Sequence, residues 1–114
     1  MNLKSILRGA RDHDASDVHL LVGLPPMLRV GGQIVPARGG PVEEEAIAAI
    51  LERDLSGEQR ERLQREWQLC FSVVYTETGR ARVAIYRRNG QWELSIRLGD
   101  TAMRTREELS LIHI

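Results

Sequence analysis

Aromatic residues are scarce in this chain: one Phe, two Trp and two Tyr make up 4% of its 114 residues. Its core must therefore be built from aliphatic side chains, and the sparse aromatics argue against a flat cofactor such as haem or flavin. There is one cysteine, Cys70, so no internal disulfide can form and a cytoplasmic setting is the default expectation. The formal net charge is +0, which argues against a general nucleic-acid or anionic-membrane binder while leaving a local basic face open. No apolar run approaches the length that crosses a bilayer, and the N-terminus lacks a signal-peptide pattern. Any membrane association is expected to go through partners. No G-x-x-x-x-G-K-[ST] phosphate loop occurs, and no nucleophile–base pair supports a small hydrolase.

What is present is ordinary for one globular domain: 42% hydrophobic and 28% charged residues. The most informative stretch is Ala15 to Val35, ASDVHLLVGLPPMLRVGGQIV. Val18, Leu20 and Val22 alternate with Asp17, His19 and Leu21, the period-two pattern of a half-buried strand. Gly23-Leu24-Pro25-Pro26 breaks it, since two prolines cannot donate to a ladder. Met27 to Val30 resumes the alternation, with Leu28 and Val30 on one face and Met27 and Arg29 on the other. Gly31-Gly32 supplies the positive φ of a two-residue hairpin turn, and Gln33 to Val35 run back.

Around this stretch the remaining elements follow. Leu3, Ile6, Leu7 and Ala10 form the apolar stripe of a helix over 2–11. Glu43-Glu44-Glu45 begins a second helix at its positive end, with Ile47, Ile50 and Leu51 inward. Ser56 and Gln59 form a capping box that opens a third, on which Leu63 and Trp67 share a face and Glu58–Arg62 and Glu61–Arg65 pair at i, i+4. Leu69 to Thr76 reads as a strand with Phe71, Val73 and Tyr75 on one face. Glu77-Thr78-Gly79 turns it into Arg80 to Arg88. Asn89-Gly90 is the strongest hairpin signal, leading to Gln91–Leu98 with Leu94, Ile96 and Leu98 inward. A short helix is expected near Thr105 to Leu109. About six strands and three helices predict an α+β domain, a mainly antiparallel sheet with helices packed on one face.

The residues ASDVHLLVGLPPMLRVGGQI resemble the opening of the PilT-like twitching-motility ATPases of type IV pili, which reads ASDLHL and then GxPPMxRxxG. LSGEQRERLQREWQLCFSVVY is similar to the family's Leu-Ser, helix, Asp-Phe-Ser segment. GRARVAIYRRNGQWELSIRL is similar to its Arg-x-Arg-Val-Asn and Arg-x-Ile strand pair. Cys70 stands where the family usually has Asp, Ala84 where it has Asn, and the Asn89-Gly90 hairpin is poorer in Arg and Gly.

The resemblance implies a PAS-like fold over residues 1–108, and the N-terminal regulatory, nucleotide-sensing domain of a homohexameric motor that couples ATP hydrolysis to pilus disassembly. It implies ATP and Mg held by a C-terminal P-loop motor domain, which these residues do not include, so the fragment itself is expected to have no activity. The implied partners are that motor domain, neighbouring subunits and pilus-base proteins, with a cytoplasmic location peripheral to the inner membrane and no nucleic-acid recognition. Residues 109–114, LSLIHI, spell what a common sequencing-library adaptor encodes in this frame, and are read as an artefactual, non-native tail on a truncated fragment. Other readings are a stand-alone PAS-like sensor or adaptor, and the N-terminal domain of a related type II secretion or pilus-assembly ATPase.

For candidate sites, alternation turns Ala81, Val83 and Ile85 inward and Arg80, Arg82, Tyr86 and Arg88 outward, with Arg97 on the same face if Asn89-Gly90 sets the pairing. A row of guanidiniums suits phosphate or carboxylate, because each fork binds bidentately. The alternative is a solvated face paired with Glu77 and Glu93. The resemblance implies that Arg82 and Arg97, then Arg80, sense nucleotide phosphate as arginine fingers do. Asp17 and His19 form a D-x-H with no third metal ligand at a recognisable spacing, so a structural or interface role is favoured. Cys70 is expected to be a buried or half-buried thiol, and Trp67 and Trp92 core and hairpin packing. Leu24-Pro25-Pro26-Met27 is either a rigid turn or a contact with a neighbouring subunit.

Overall fold

The computed structural model describes residues 2–99. The helix expected near Thr105–Leu109 and the 109–114 tail lie outside them. The elements run α1 (Leu3–Asp12), β1 (Ala15–Leu20), β2 (Met27–Val30), β3 (Gln33–Pro36), α2 (Glu44–Asp54), α3 (Gly57–Glu66), β4 (Gln68–Tyr75), β5 (Gly79–Arg88) and β6 (Gln91–Leu98).

Helices α1 and α3 begin where a side chain satisfies free N–H groups of the first turn, whereas α2 starts after Glu43 with no side-chain cap. Asn2 caps α1 by accepting from the Ser5 N–H at 2.8 Å. Ser56 Oγ accepts from the Gln59 N–H at 3.1 Å while Gln59 Oε1 accepts from the Ser56 N–H at 2.9 Å, closing the expected capping box of α3. The Leu3 N–H donates to Asp54 Oδ2 at 3.1 Å, which ties the start of α1 to the end of α2.

The strands form one six-stranded antiparallel sheet in the order β3-β2-β1-β6-β5-β4. Two local hairpin systems therefore meet along the β1–β6 seam, where Asp17 pairs with Arg97, Val18 with Ile96 and Leu20 with Leu94. Asn89 and Gly90 lie at φ 52° and 78°, the left-handed pair that a type I′ turn requires.

One sheet face is covered by the three helices. Leu3, Leu7, Ile47, Ile50 and Leu63 from the helices meet Val18, Leu20, Val83, Ile85, Leu94 and Ile96 from the strands in one aliphatic core. Burying such side chains contributes about 1.5–3 kcal/mol each before entropy is counted. The opposite face carries the alternate residues, including the arginines.

A bulge at the start of β1 allows both faces to be used. Ala15 pairs with Val30 and Asp17 with Arg29, so Ser16 is the extra residue. The extra residue shifts the alternation by one: Ala15 turns into the core while Asp17 turns to the open face.

Three expectations are corrected. Trp67 does not share the buried face of Leu63. It ends α3 in the left-handed conformation at φ 61°, so the helical i, i+4 relation to Leu63 is broken and its side chain is 59% exposed. Its indole covers the Arg87 guanidinium, with 5.5 Å between the Arg87 Cζ and the ring centroid, and Trp92 lies at 5.3 Å from the same Cζ. Cys70 is exposed, not buried, because it alternates with the inward Leu69 and Phe71. On α3, Arg65 reaches Glu61 at 4.0 Å as expected, but Arg62 turns to Glu66 at 3.5 Å instead of Glu58.

Candidate functional site

The open sheet face brings together residues from both ends of the sequence. Reading across the strands, Arg29 on β2 stands beside Asp17 on β1, Asp17 beside Arg97 on β6, Arg97 beside Arg82 on β5, and Arg82 beside Ser72 on β4. The next row is Met27, His19, Ser95, Ala84 and Cys70. With neighbouring strands about 4.8 Å apart, the three arginines span roughly 14 Å. All residues of these two rows except Ser72 and Met27 line a depression of about 380 Å³.

Asp17 is the acidic centre of the row. Its side chain is 10% exposed and lies between two guanidiniums. Arg97 Nε donates to its Oδ1 at 3.2 Å, and Arg29 Nε approaches its Oδ2 at 3.4 Å. Ser16 Oγ, from the bulge, donates to the same Oδ2 at 3.3 Å. In the second row the Ser95 hydroxyl lies 3.3 Å from His19 Nδ1. No group of three or more His, Cys, Asp or Glu side chains able to hold a metal is found among the described residues.

Arg82 and Arg97 thus face each other, as the outward alternation and the Asn89-Gly90 turn predict. Arg80 is on the same face, two residues back along β5 and opposite Val74, outside the depression. Of the acidic partners expected for a merely solvated face, Glu93 shares this face and pairs with Arg88, but neither Glu93 nor Glu77 reaches Arg82, Arg97 or Arg80. Glu77 bonds Arg8 and lies 3.8 Å from Lys4. Glu93 lies 4.0 Å from Arg88 at the far end of the hairpin. Among the described residues neither Arg82 nor Arg80 has a carboxylate within salt-bridge distance.

Two ionisable groups flank this geometry. Tyr86, beside Glu93 on the same face, has its hydroxyl pushed above its ordinary pKa, first by burial and then by the Glu93 carboxylate, with Arg88 opposing. The Glu77 carboxyl is held below its ordinary value by the hydrogen bond from Arg8 and by the charges of Arg8 and Lys4.

Arg29 is the site residue that sequence reasoning missed. Its outward alternation in Met27–Val30 was visible, but nothing local shows that β1 seats itself between β2 and β6. Asp17, expected to have a structural or interface role, is placed by the same seam.

Sequence comparison finds two curated relatives along almost the whole chain. The type IV pilus retraction ATPase PilT of Pseudomonas aeruginosa is 28% identical over 111 residues, covering 97% of this chain and 32% of PilT. The type IV pilus ATPase PilU of the same organism is 25% identical over 114 residues, covering all of this chain and 30% of PilU. The chain therefore spans about a third of the length of the curated relatives it matches. No protein-family model matches.

Among solved structures, the pilus retraction motor PilT with bound ADP superimposes with a TM-score of 0.73 at 24% identity, over 85% of this chain and 29% of that one. The ATPase DotB of Legionella pneumophila gives 0.70 at 14% identity, over 86% of this chain and 28% of that one. In sequence and in fold, this chain is similar to the N-terminal region of the PilT-like pilus retraction ATPases.

Proposed function

We propose that this chain is the N-terminal, nucleotide-sensing domain of a PilT-like pilus motor. In this reading Arg82 and Arg97, with Arg80 beside them, present guanidinium forks to the phosphates of ATP held with Mg by a P-loop motor domain beyond these residues. The observation that carries it is the Arg82–Arg97 pair: two like charges directly opposed on an open sheet face. Opposed like charges cost stability, and a polyphosphate placed between them reverses that cost. The domain would sense whether the γ-phosphate is present, and move against the motor as nucleotide turns over in a homohexamer that couples hydrolysis to pilus disassembly. Its setting would be the cytoplasmic side of the inner membrane, at the pilus base; no helix among the described residues is long and apolar enough to cross a membrane.

The fold is shared with DotB, so the choice of a retraction motor over a secretion or assembly ATPase leans on the sequence similarity to PilT and PilU. A stand-alone sensor needs a ligand cavity enclosed by the fold; Leu, Ile and Val fill the centre of the space between sheet and helices, and the apolar hollow of about 330 Å³ between α1 and β1–β2 is an open depression at the edge of that core.

Two measurements test the proposal. Calorimetry on the isolated chain should find ATP binding that is weak, in the millimolar range, and absent in Arg82→Ala/Arg97→Ala; sub-micromolar binding would contradict a sensor that borrows its nucleotide from another domain. The source genome, read through codon 109 in frame, should run on into a G-x-x-x-x-G-K-[ST] motif, and a genuine stop codon after Ile114 would end the motor reading.

A further inference from the structure

Resting on that anion-site reading, we propose that Asp17 is a positioning residue for the arginine row: it braces Arg97 and Arg29 from beneath, so that the terminal nitrogens of Arg97, and Nη2 of Arg29, face an anion lying on the sheet.

The geometry separates a brace from a competitor. Asp17 is 7% exposed, set down in the middle of β1. The arginine side chains it touches are 80% exposed for Arg97 and 42% exposed for Arg29. Its carboxylate therefore does not occupy the place an anion would take; it lies under the guanidiniums. Both contacts are made by Nε, the stem-side nitrogen, at 3.2 and 3.4 Å. A guanidinium has five N–H donors, and only one of them is used in each of these contacts. The four on the terminal nitrogens of Arg97 remain for a second acceptor, in the edge-on arrangement that suits a bidentate phosphate contact. An unbraced arginine has several free torsions to fix on binding. One held at Nε has lost much of that freedom beforehand, which is how preorganisation raises affinity.

The bulge at Ser16 belongs to the same device. It turns Asp17 onto the open face in register with Arg29 on one side and Arg97 on the other, and its hydroxyl takes up part of Oδ2. Arg29 enters the site by this route, as a second braced arginine on the far side of Asp17 from the Arg97–Arg82 pair, with its Nη1 donating to the Gly32 carbonyl at 3.4 Å and its Nη2 left for an anion.

Charge and positioning make opposite forecasts for Asp17→Asn. The substitution adds one unit of positive charge to the row, which by Coulomb attraction alone tightens any anion. Loss of the brace weakens it. Calorimetric titration of the whole chain with sodium tripolyphosphate at low salt should show Asp17→Asn binding about three- to tenfold more weakly. On an Arg97→Ala background the same substitution should have little further effect, the non-additivity expected of coupled groups. Equal or tighter binding by Asp17→Asn would overturn the proposal.

A second readout does not depend on the ligand. In the wild-type protein the Arg97 Nε–Hε NMR signal, assigned by its loss in Arg97→Lys, should stand apart from those of solvated arginines. In Asp17→Asn it should fall back among them, while the backbone amide spectrum stays folded. An Arg97 signal unmoved by Asp17→Asn would overturn the brace, whatever the anion does. If wild-type protein fails to bind tripolyphosphate at millimolar concentration, the anion-site reading falls and takes with it the purpose assigned to the brace. The Nε–Hε signal then reports separately on whether the brace exists.

Discussion

Arg82 on β5 stands directly across from Arg97 on β6, and Arg97 alone of the two has a carboxylate beside it, Asp17 on the next strand. Opposed like charges on neighbouring strands are unfavourable by about 0.2–1 kcal/mol, and opposed unlike charges favourable by a similar amount. Arg82→Glu should therefore stabilise the isolated domain at low salt, by about 0.5–1 kcal/mol, and the gain should shrink as salt screens these exposed groups. Chemical denaturation in low and high salt measures it. The same substitution should abolish tripolyphosphate binding. A variant that is more stable yet inactive in binding is the signature expected of a residue kept for function; a less stable Arg82→Glu would mean that Arg82 supports the fold.

Leu63 and Trp67 lie four residues apart but have different fates, and truncation should separate them. Leu63 is 2% exposed in the core, so Leu63→Ala should cost about 2–5 kcal/mol. Trp67 is 59% exposed and contributes a cation–π contact to Arg87. Trp67→Ala should cost roughly 1 kcal/mol or less, despite removing the larger side chain. Urea denaturation of both variants checks the contrast, and comparable losses would restore Trp67 to the core.

These cases mark where sequence reasoning works and where it stops. Period-two alternation placed Val83 and Ile85 under the helices and Arg82 above the sheet, because a strand's side chains must alternate. Asn89-Gly90 fixed which residue of β6 faces Arg82, because a two-residue turn sets the register. Trp67 was misplaced because one left-handed residue ends the helical period, and no residue type announces it there. Ala15 and Asp17 share a parity in the sequence but not a face in the fold, because Ser16 bulges. Cys70 needed only the alternation already applied to Phe71 and Val73. The β1–β6 seam, joining Asp17 to Arg97, is a long-range pairing that no local pattern encodes, and the arginine row depends on it.

Glu77, in the β4–β5 turn, reaches α1 through Arg8 and Lys4. Its carboxyl is held below the ordinary glutamate value, by the Arg8 hydrogen bond first and then by the two positive charges. A group with a depressed folded-state pKa stabilises above its unfolded pKa, and that contribution is lost as pH falls through the lower folded value. Glu77→Gln should therefore melt below wild type at neutral pH, by a small margin because the pair is exposed. The two melting curves should converge in acid, below the ordinary glutamate range. A gap that persists unchanged at pH 2–3, about two units below the ordinary glutamate value of ~4.3, would assign the effect to the turn's backbone and not to the charge.

Tyr86 reports on the other end of the arginine face. Its hydroxyl is pushed up by burial first, then by Glu93 through charge and a hydrogen bond, while Arg88, 5.5 Å above its ring, pulls the other way. A tyrosine whose folded pKa is raised stabilises the fold below its unfolded pKa, and that stability is lost as pH rises through the folded value. The two neighbours have opposite signs, so their removal must move the titration in opposite directions. Glu93→Gln should lower the Tyr86 step in an alkaline absorbance titration without returning it to the ordinary value of about 10, because burial remains. Arg88→Gln should raise it. Tyr75 is also raised, by burial and by Asp54, and neither variant should move its step; Tyr75→Phe identifies which step is which. If Glu93→Gln and Arg88→Gln move Tyr86 in the same direction, or not at all, the Glu93–Tyr86–Arg88 cluster is not held together in solution and the far end of the face is looser than the row at Asp17.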